Sequence, residues 1–128
     1  MIKAKDVAIY EFWASFGIPA YEQNSVPKGD NAPGFPFLTY SVTIDSEWEQ
    51  VALDASLWYR GTSWADCETM LENISRAFND KRRCILECDG GAIVLRKGTP
   101  FANNMSDPDD HLIKRKVLNV EAMYITTY

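Results

Sequence analysis

Apolar positions recur at helical spacing in the first stretch of the chain, KAKDVAIYEFWASFG, where Ile9, Phe12, Trp13 and Phe16 fall on one face. Gly17, followed by Ile18 and Pro19, supplies the stop, so a first helix is predicted here. Residues 21–36, YEQNSVPKGDNAPGFP, hold three prolines and two glycines without periodicity and predict a long loop. FLTYSVTI then alternates, with Leu38, Tyr40, Val42 and Ile44 pointing one way and Thr39, Ser41 and Thr43 the other. Beyond a turn at DSEWE, Val51, Leu53, Ala55, Leu57 and Tyr59 alternate with Ala52, Asp54, Ser56 and Trp58, and the two runs predict an antiparallel hairpin.

A second helix is predicted to start at a Ser63 cap and run to about Asn79, because Trp64, Cys67, Leu71, Ile74 and Phe78 recur at steps of three and four. RCILECDGGAIVLRKG reads as a hairpin turning at Asp89-Gly90-Gly91. TPFANNMSDPDD reads as a polar loop, and HLIKRKVLNVEAMYITTY as a long closing strand. The expected fold class is α+β: an antiparallel, or mixed, β-sheet of four to five strands with two helices packed on one face. The order is α-β-β-α-β-β-β within a single domain, residues 1–128.

One residue breaks this pattern. Trp58 stands on the strand face otherwise built from Asp54 and Ser56 and paired with Thr39, Ser41 and Thr43, and Trp48 stands in the hairpin turn. Trp58 is either covered inside the chain, by a cross-strand threonine or the 21–36 loop, or covered by another subunit, since aromatic residues favour the desolvated centres of interfaces. The candidate interface set is Trp48, Trp58, Thr39, Ser41, Thr43, Asp54, Ser56 and Phe35.

Composition narrows the chemistry. A net charge of −5 argues against a general nucleic-acid binder, and the runs Lys81-Arg82-Arg83 and Lys114-Arg115-Lys116 read as charge at the end of a helix and beside a strand. Three cysteines and no leader-like start predict a reducing compartment, and no apolar run is long enough for a membrane span. Cys84 and Cys88, four apart on a strand, would have Cα atoms about 13 Å apart, too far for a disulfide. The single histidine, His111, and the absence of a phosphate-binding glycine motif give catalysis little to use. The acids Asp45, Glu47 and Glu49 and the acids Asp107, Asp109 and Asp110 lack the ligand spacing of a calcium loop. No cofactor, metal or catalytic residue is expected.

The succession FWASFGIPAYEQNSVP, FPFLTYSV and VALDASLWYRGTSWADCETMLENISRAF, covering about residues 9–78, resembles small tail proteins of long-tailed bacteriophages and prophages: tail terminator, tail completion or minor tail structural proteins. The resemblance lies in the order and spacing of FGIPAY, the approach to the first strand and SLWYRGTSW. It implies a non-enzymatic structural protein made in the bacterial cytoplasm and carried in the virion tail. It also implies a homo-oligomeric ring, commonly a hexamer, that caps the tail tube, ends its growth and provides the head-tail joining surface. The implied partners are further copies of the chain, the major tail tube protein and a head completion or connector protein, with DNA only in passage and no membrane. A head-side connector or stopper, a small metal-dependent hydrolase using Asp45, Asp54 and the late acidic loop, and a monomeric binding module are the competing readings.

Overall fold

The computed structural model describes residues 3–43 and 50–126. Its elements are α1 (Lys5–Ala14), β1 (Ala20–Glu22), a 3-10 turn (Gly29–Asn31), β2 (Phe37–Tyr40), β3 (Gln50–Ala52), β4 (Ala55–Arg60), α2 (Ala65–Ser75), β5 (Arg83–Cys88), β6 (Gly91–Ser106) and β7 (Ile113–Thr126). The strands form one sheet in the order β1-β2-β4-β7-β6-β5, with β3 also on β7. The fold is α+β as expected and the sheet is of the mixed kind that the expectation allowed, because β1 runs parallel to β2, but it is wider than four to five strands. The loop expected over 21–36 therefore gives its first residues to β1, a three-residue strand too short to carry a period.

The alternation over 51–59 marks one strand spanning the sheet. β3 and β4 lie along β7 in a single register, Ala52 opposite Glu121 and Ala55 opposite Leu118. Between them the Leu53 N–H donates to the Val120 carbonyl at 2.8 Å. The hairpin with β2 also forms, Leu38 opposite Leu57, although β2 ends at Tyr40 and residues 41–43 leave the ladder.

Every buried apolar strand residue, from Leu38 and Leu57 to Leu118, Val120 and Tyr124, lies on one face of the sheet and joins one core with Ile9, Phe12 and Trp13 of α1 and Cys67 and Ile74 of α2. Trp13 is a core residue, as its helical spacing predicts, and Trp64 packs at the margin of the core with the Lys114 and Lys116 amines 5.8 and 5.5 Å from its ring centre. The two edge strands, β1 and β5, both contact α1, so the sheet curls around that helix. The N-cap position of α2 falls on Trp64 rather than on Ser63 as expected, and the Ser63 hydroxyl, one residue earlier, accepts the Ala65 N–H at 3.0 Å. The helix ends at Ser75 rather than near Asn79, and a tighter turn carries Phe78 into the core.

The largest departure is at residues 99–106. They are not a loop but the second half of β6, paired to the start of β7 from Ala102 opposite Leu118 to Ser106 opposite Lys114. The register shifts between Lys97 and Ala102. This bulge turns Phe101 onto Phe78, ring centres 5.7 Å apart, and sets the Lys97 amine 4.9 Å from the Phe101 ring centre and 2.5 Å from the Ser75 hydroxyl. Gly98 is required there, because a Cβ would sit 2.9 Å from the Asn119 carbonyl oxygen and 3.0 Å from its Cβ. Gly98→Ala is expected to cost about 1–3 kcal/mol by forcing the two backbones apart. Chemical denaturation checks this value; a change within experimental error would mean that the bulge yields freely.

Candidate functional site

The face of the sheet away from the helices carries two aligned rows. Phe37, Trp58, Arg115 and Met105 stand opposite one another on β2, β4, β7 and β6. The next row runs Tyr21, Thr39, Ser56, Val117 and Asn103, starting on β1. Opposed residues share a face and touch, so strand register alone assembles this surface.

Trp58 is held from three sides. Its ring stacks on Phe37, centres 6.0 Å apart and planes 10° apart, and its indole N–H donates to the Thr39 hydroxyl at 2.9 Å. The Arg115 guanidinium lies 4.7 Å from its ring centre, and Arg115 Nε donates to the Ser56 hydroxyl at 3.1 Å. A polar group for the indole N–H, an aromatic neighbour and a cation on the π-face are the partners a half-buried tryptophan needs. The aromatic set continues outward from Phe37 to Phe35, 5.4 Å away, and to Tyr21, 6.4 Å away. At the two ends of the set, Phe35 is 40% exposed and Met105 44% exposed. Beside Met105, a cleft of about 150 Å³ opens between Trp58, Arg115, Ser106 at the end of β6 and the turn residues Asp107 and Pro108.

Of the residues expected to share an interface, Trp58, Thr39, Ser56 and Phe35 do come together here. Ser56 is buried rather than open. Ser41 turns toward Asp54, whose carbonyl accepts both the Ser41 N–H at 2.9 Å and its hydroxyl at 3.2 Å. Asp54 itself is exposed, and Thr43 has left the ladder, its carbonyl accepting the Tyr124 hydroxyl at 2.8 Å. Trp48, with Asp45, Glu47 and Glu49, lies outside the described residues. Sequence reasoning missed Phe37, Tyr21, Arg115 and Met105. Phe37 was within reach, being two residues before Thr39 and so on the same face.

The basic runs also fall differently from expectation. Arg115 lies inside β7 rather than beside a strand, and its neighbours Lys114 and Lys116 turn to the helix side. Lys116 is buried, bonded to the Glu68 carboxylate and to Asn104 Oδ1 at 2.6 Å. Lys81-Arg82-Arg83 lies beyond α2, and Arg82 donates to the Gly98 carbonyl at 2.6 Å.

The late acids serve their own turn. Asp107 accepts the Asp109 and Asp110 N–H groups, and Asp110 accepts Leu112 N–H and Arg60 Nε at 2.9 and 3.1 Å. The backbone donor of Leu112 first, and then Arg60, hold the Asp110 carboxyl below the usual carboxylate value. Among the described residues no three His, Cys, Asp or Glu side chains are grouped to hold a metal ion, and Cys67, Cys84 and Cys88 are free thiols. No helix among the described residues is long and apolar enough to cross a membrane. Compared with protein-family models, curated proteins and solved structures, the chain gives no match.

Proposed function

We propose that this chain is a structural subunit of a long-tailed bacteriophage that assembles into a ring, caps the tail tube, ends its growth and offers the surface on which the head docks. The observation that carries this reading is the helix-free face of the sheet, where an aromatic row ends in exposed Phe35 and Met105. Aromatic residues, Met and Arg are the types enriched where one protein covers another. The order of motifs over residues 9–78 supports the placement in a phage tail.

The geometry suits a cap. Trp58, fixed by Phe37, Thr39 and Arg115, is a rigid platform that loses little side-chain freedom when covered, whereas Phe35 is the part still open to a partner. The net charge of −5 suits a passage that should release DNA rather than hold its phosphates.

Light scattering over a concentration series, followed by negative-stain microscopy, tests the ring. Closed rings are expected; a chain that stays monomeric throughout removes the reading. Phe35→Ala is expected to leave stability within about 0.5 kcal/mol of the parent while weakening binding to purified tail tubes of the same virus at least about tenfold. Unchanged co-sedimentation with tubes would place the contact elsewhere.

A further inference from the structure

Two further apolar patches, away from the aromatic row, carry opposite charge. The first is a groove of about 450 Å³ between α1 and strands β1 and β2, lined by Asp6, Val7, Tyr10, Glu22, Tyr40 and Val42. Val7 and Tyr10 are 42% and 47% exposed, and the lining holds two carboxylates and no lysine or arginine. Burial first, and then Tyr10, Glu22 and Asp6, raise the Tyr40 pKa, so these groups face one another across the groove.

The second patch lies at the β5 edge. Ile85 is 65% exposed, the most open large apolar side chain among the described residues. Beside it Arg83 and Arg96 are direct cross-strand partners on the outward face, flanking a cleft of about 230 Å³ that Gln50, Val94, Glu121, Met123 and Ile125 also line, two arginines against one carboxylate. Like charges set opposite one another repel. Glu121 is in register with Arg96, yet among the described residues neither arginine makes an ion pair. The sheet order puts the acidic groove at the β1 edge and the arginine pair at the β5 edge.

We propose that copies of this chain join head to tail, the Arg83/Arg96/Ile85 patch of one copy seated against the Asp6/Glu22/Val7/Tyr10 groove of the next. This deepens the ring reading above and rests on it. Either patch pressed against its own kind would oppose arginine to arginine or carboxylate to carboxylate, which disfavours a two-fold dimer. Opposite charge selects the unlike pairing and sets its direction. A contact between two different patches repeats from copy to copy and closes into a ring when the rotation per copy allows. The Phe35 and Trp58 row, further along the same sheet face at the start of β7, then stays free for the tube or the head.

Charge reversal tests the pairing. One variant carries Arg83→Glu with Arg96→Glu, the other Asp6→Lys with Glu22→Lys, and each is checked for folding by circular dichroism. Glu22 also accepts from Asn24 and Ser25 in its own turn, so Asp6→Lys alone replaces the second variant if that pair does not fold. Each variant alone is expected to need at least about tenfold more protein to assemble than the parent. An equal mixture of the two is expected to restore assembly, because each reversed patch then meets its reversed partner. If the parent forms rings and both variants do so equally well, or if the mixture fails to rescue, the pairing is wrong and the ring reading stands. If the parent itself stays monomeric, the ring reading and the pairing fall together.

Discussion

Trp58→Ala is expected to lower the unfolding free energy by about 2 kcal/mol, and to do so before any partner is added. A fully buried tryptophan truncated to alanine costs about 3–5 kcal/mol, and Trp58 is half-buried, so roughly half of that follows. The loss combines the Phe37 stack, the Thr39 hydrogen bond and the seat of the Arg115 guanidinium. For a chain of this length the melting temperature should fall by about 8 °C. Phe35→Ala provides the contrast, because Phe35 packs at the open end of the same row and its removal exposes only the edge of Phe37. The pair separates holding the face together from offering it to a partner. Trp58→Phe should recover most of the stacking and none of the Thr39 bond, leaving a deficit of about 1 kcal/mol. If Trp58→Ala melts like the parent, the stack is decorative and the platform argument fails.

That result bears on how the sheet could be read from the chain. A tryptophan on a Thr/Ser face looked like a residue waiting for a partner, and the two available explanations were internal cover and another subunit. The structure supplies internal cover from three positions, each fixed by register: Phe37 and Arg115 opposite Trp58, and Thr39 on the neighbouring row. Register is a long-range property, since β7 begins more than fifty residues after Trp58 in the chain. Alternation reveals which side of a strand a residue occupies but not which strand lies beside it. The one local clue was Phe37.

The same distinction explains the rest. The 51–59 run, the Asp89-Gly90 hairpin, both helices and the closing strand were legible because each has a buried and an open face, and so a period. Residues 99–106 were not, because the far half of β6 is open or half-open nearly throughout and alternation never develops. Pairing with β7 makes it a strand, and the bulge at Gly98 resets its register so that Phe101 can reach Phe78. The parallel strand itself was hidden for a similar reason: β1 has three residues, and its parallel neighbour is fixed by contacts across the 23–36 connection. The arginine patch and the acidic groove depend on which strands stand at the edges, which no local pattern encodes.

Raising the pH above about 9 is expected to destabilise the fold through two acids in the core. Cys67 and Tyr124 are both fully buried. Burial pushes the Cys67 thiol from 9.0 up to about 11, against a smaller opposing effect of Lys116, and pushes the Tyr124 hydroxyl from 10.0 up to about 12. Both groups are neutral when protonated, so the folded chain holds its protons to higher pH than the unfolded chain. Their contribution is whole below pH 9. It drains as the pH rises through about 11 for Cys67 and from 10 through about 12 for Tyr124. A shift of two units corresponds to about 3 kcal/mol when complete, so roughly 4 kcal/mol should be gone by pH 11, a large share of the ~5–15 kcal/mol that holds an ordinary domain. Burial raises Cys84 and Tyr59 in the same direction, which adds to the effect rather than opposing it. Urea midpoints at pH 8 and pH 11 measure the total. Cys67→Ala assigns its part: the variant should be less stable than the parent at pH 8, through the lost packing, and should close that gap as the parent's thiol ionises. A gap between the two that is the same at both pH values would show that Cys67 keeps an ordinary titration, and that the inner face of α2 admits water.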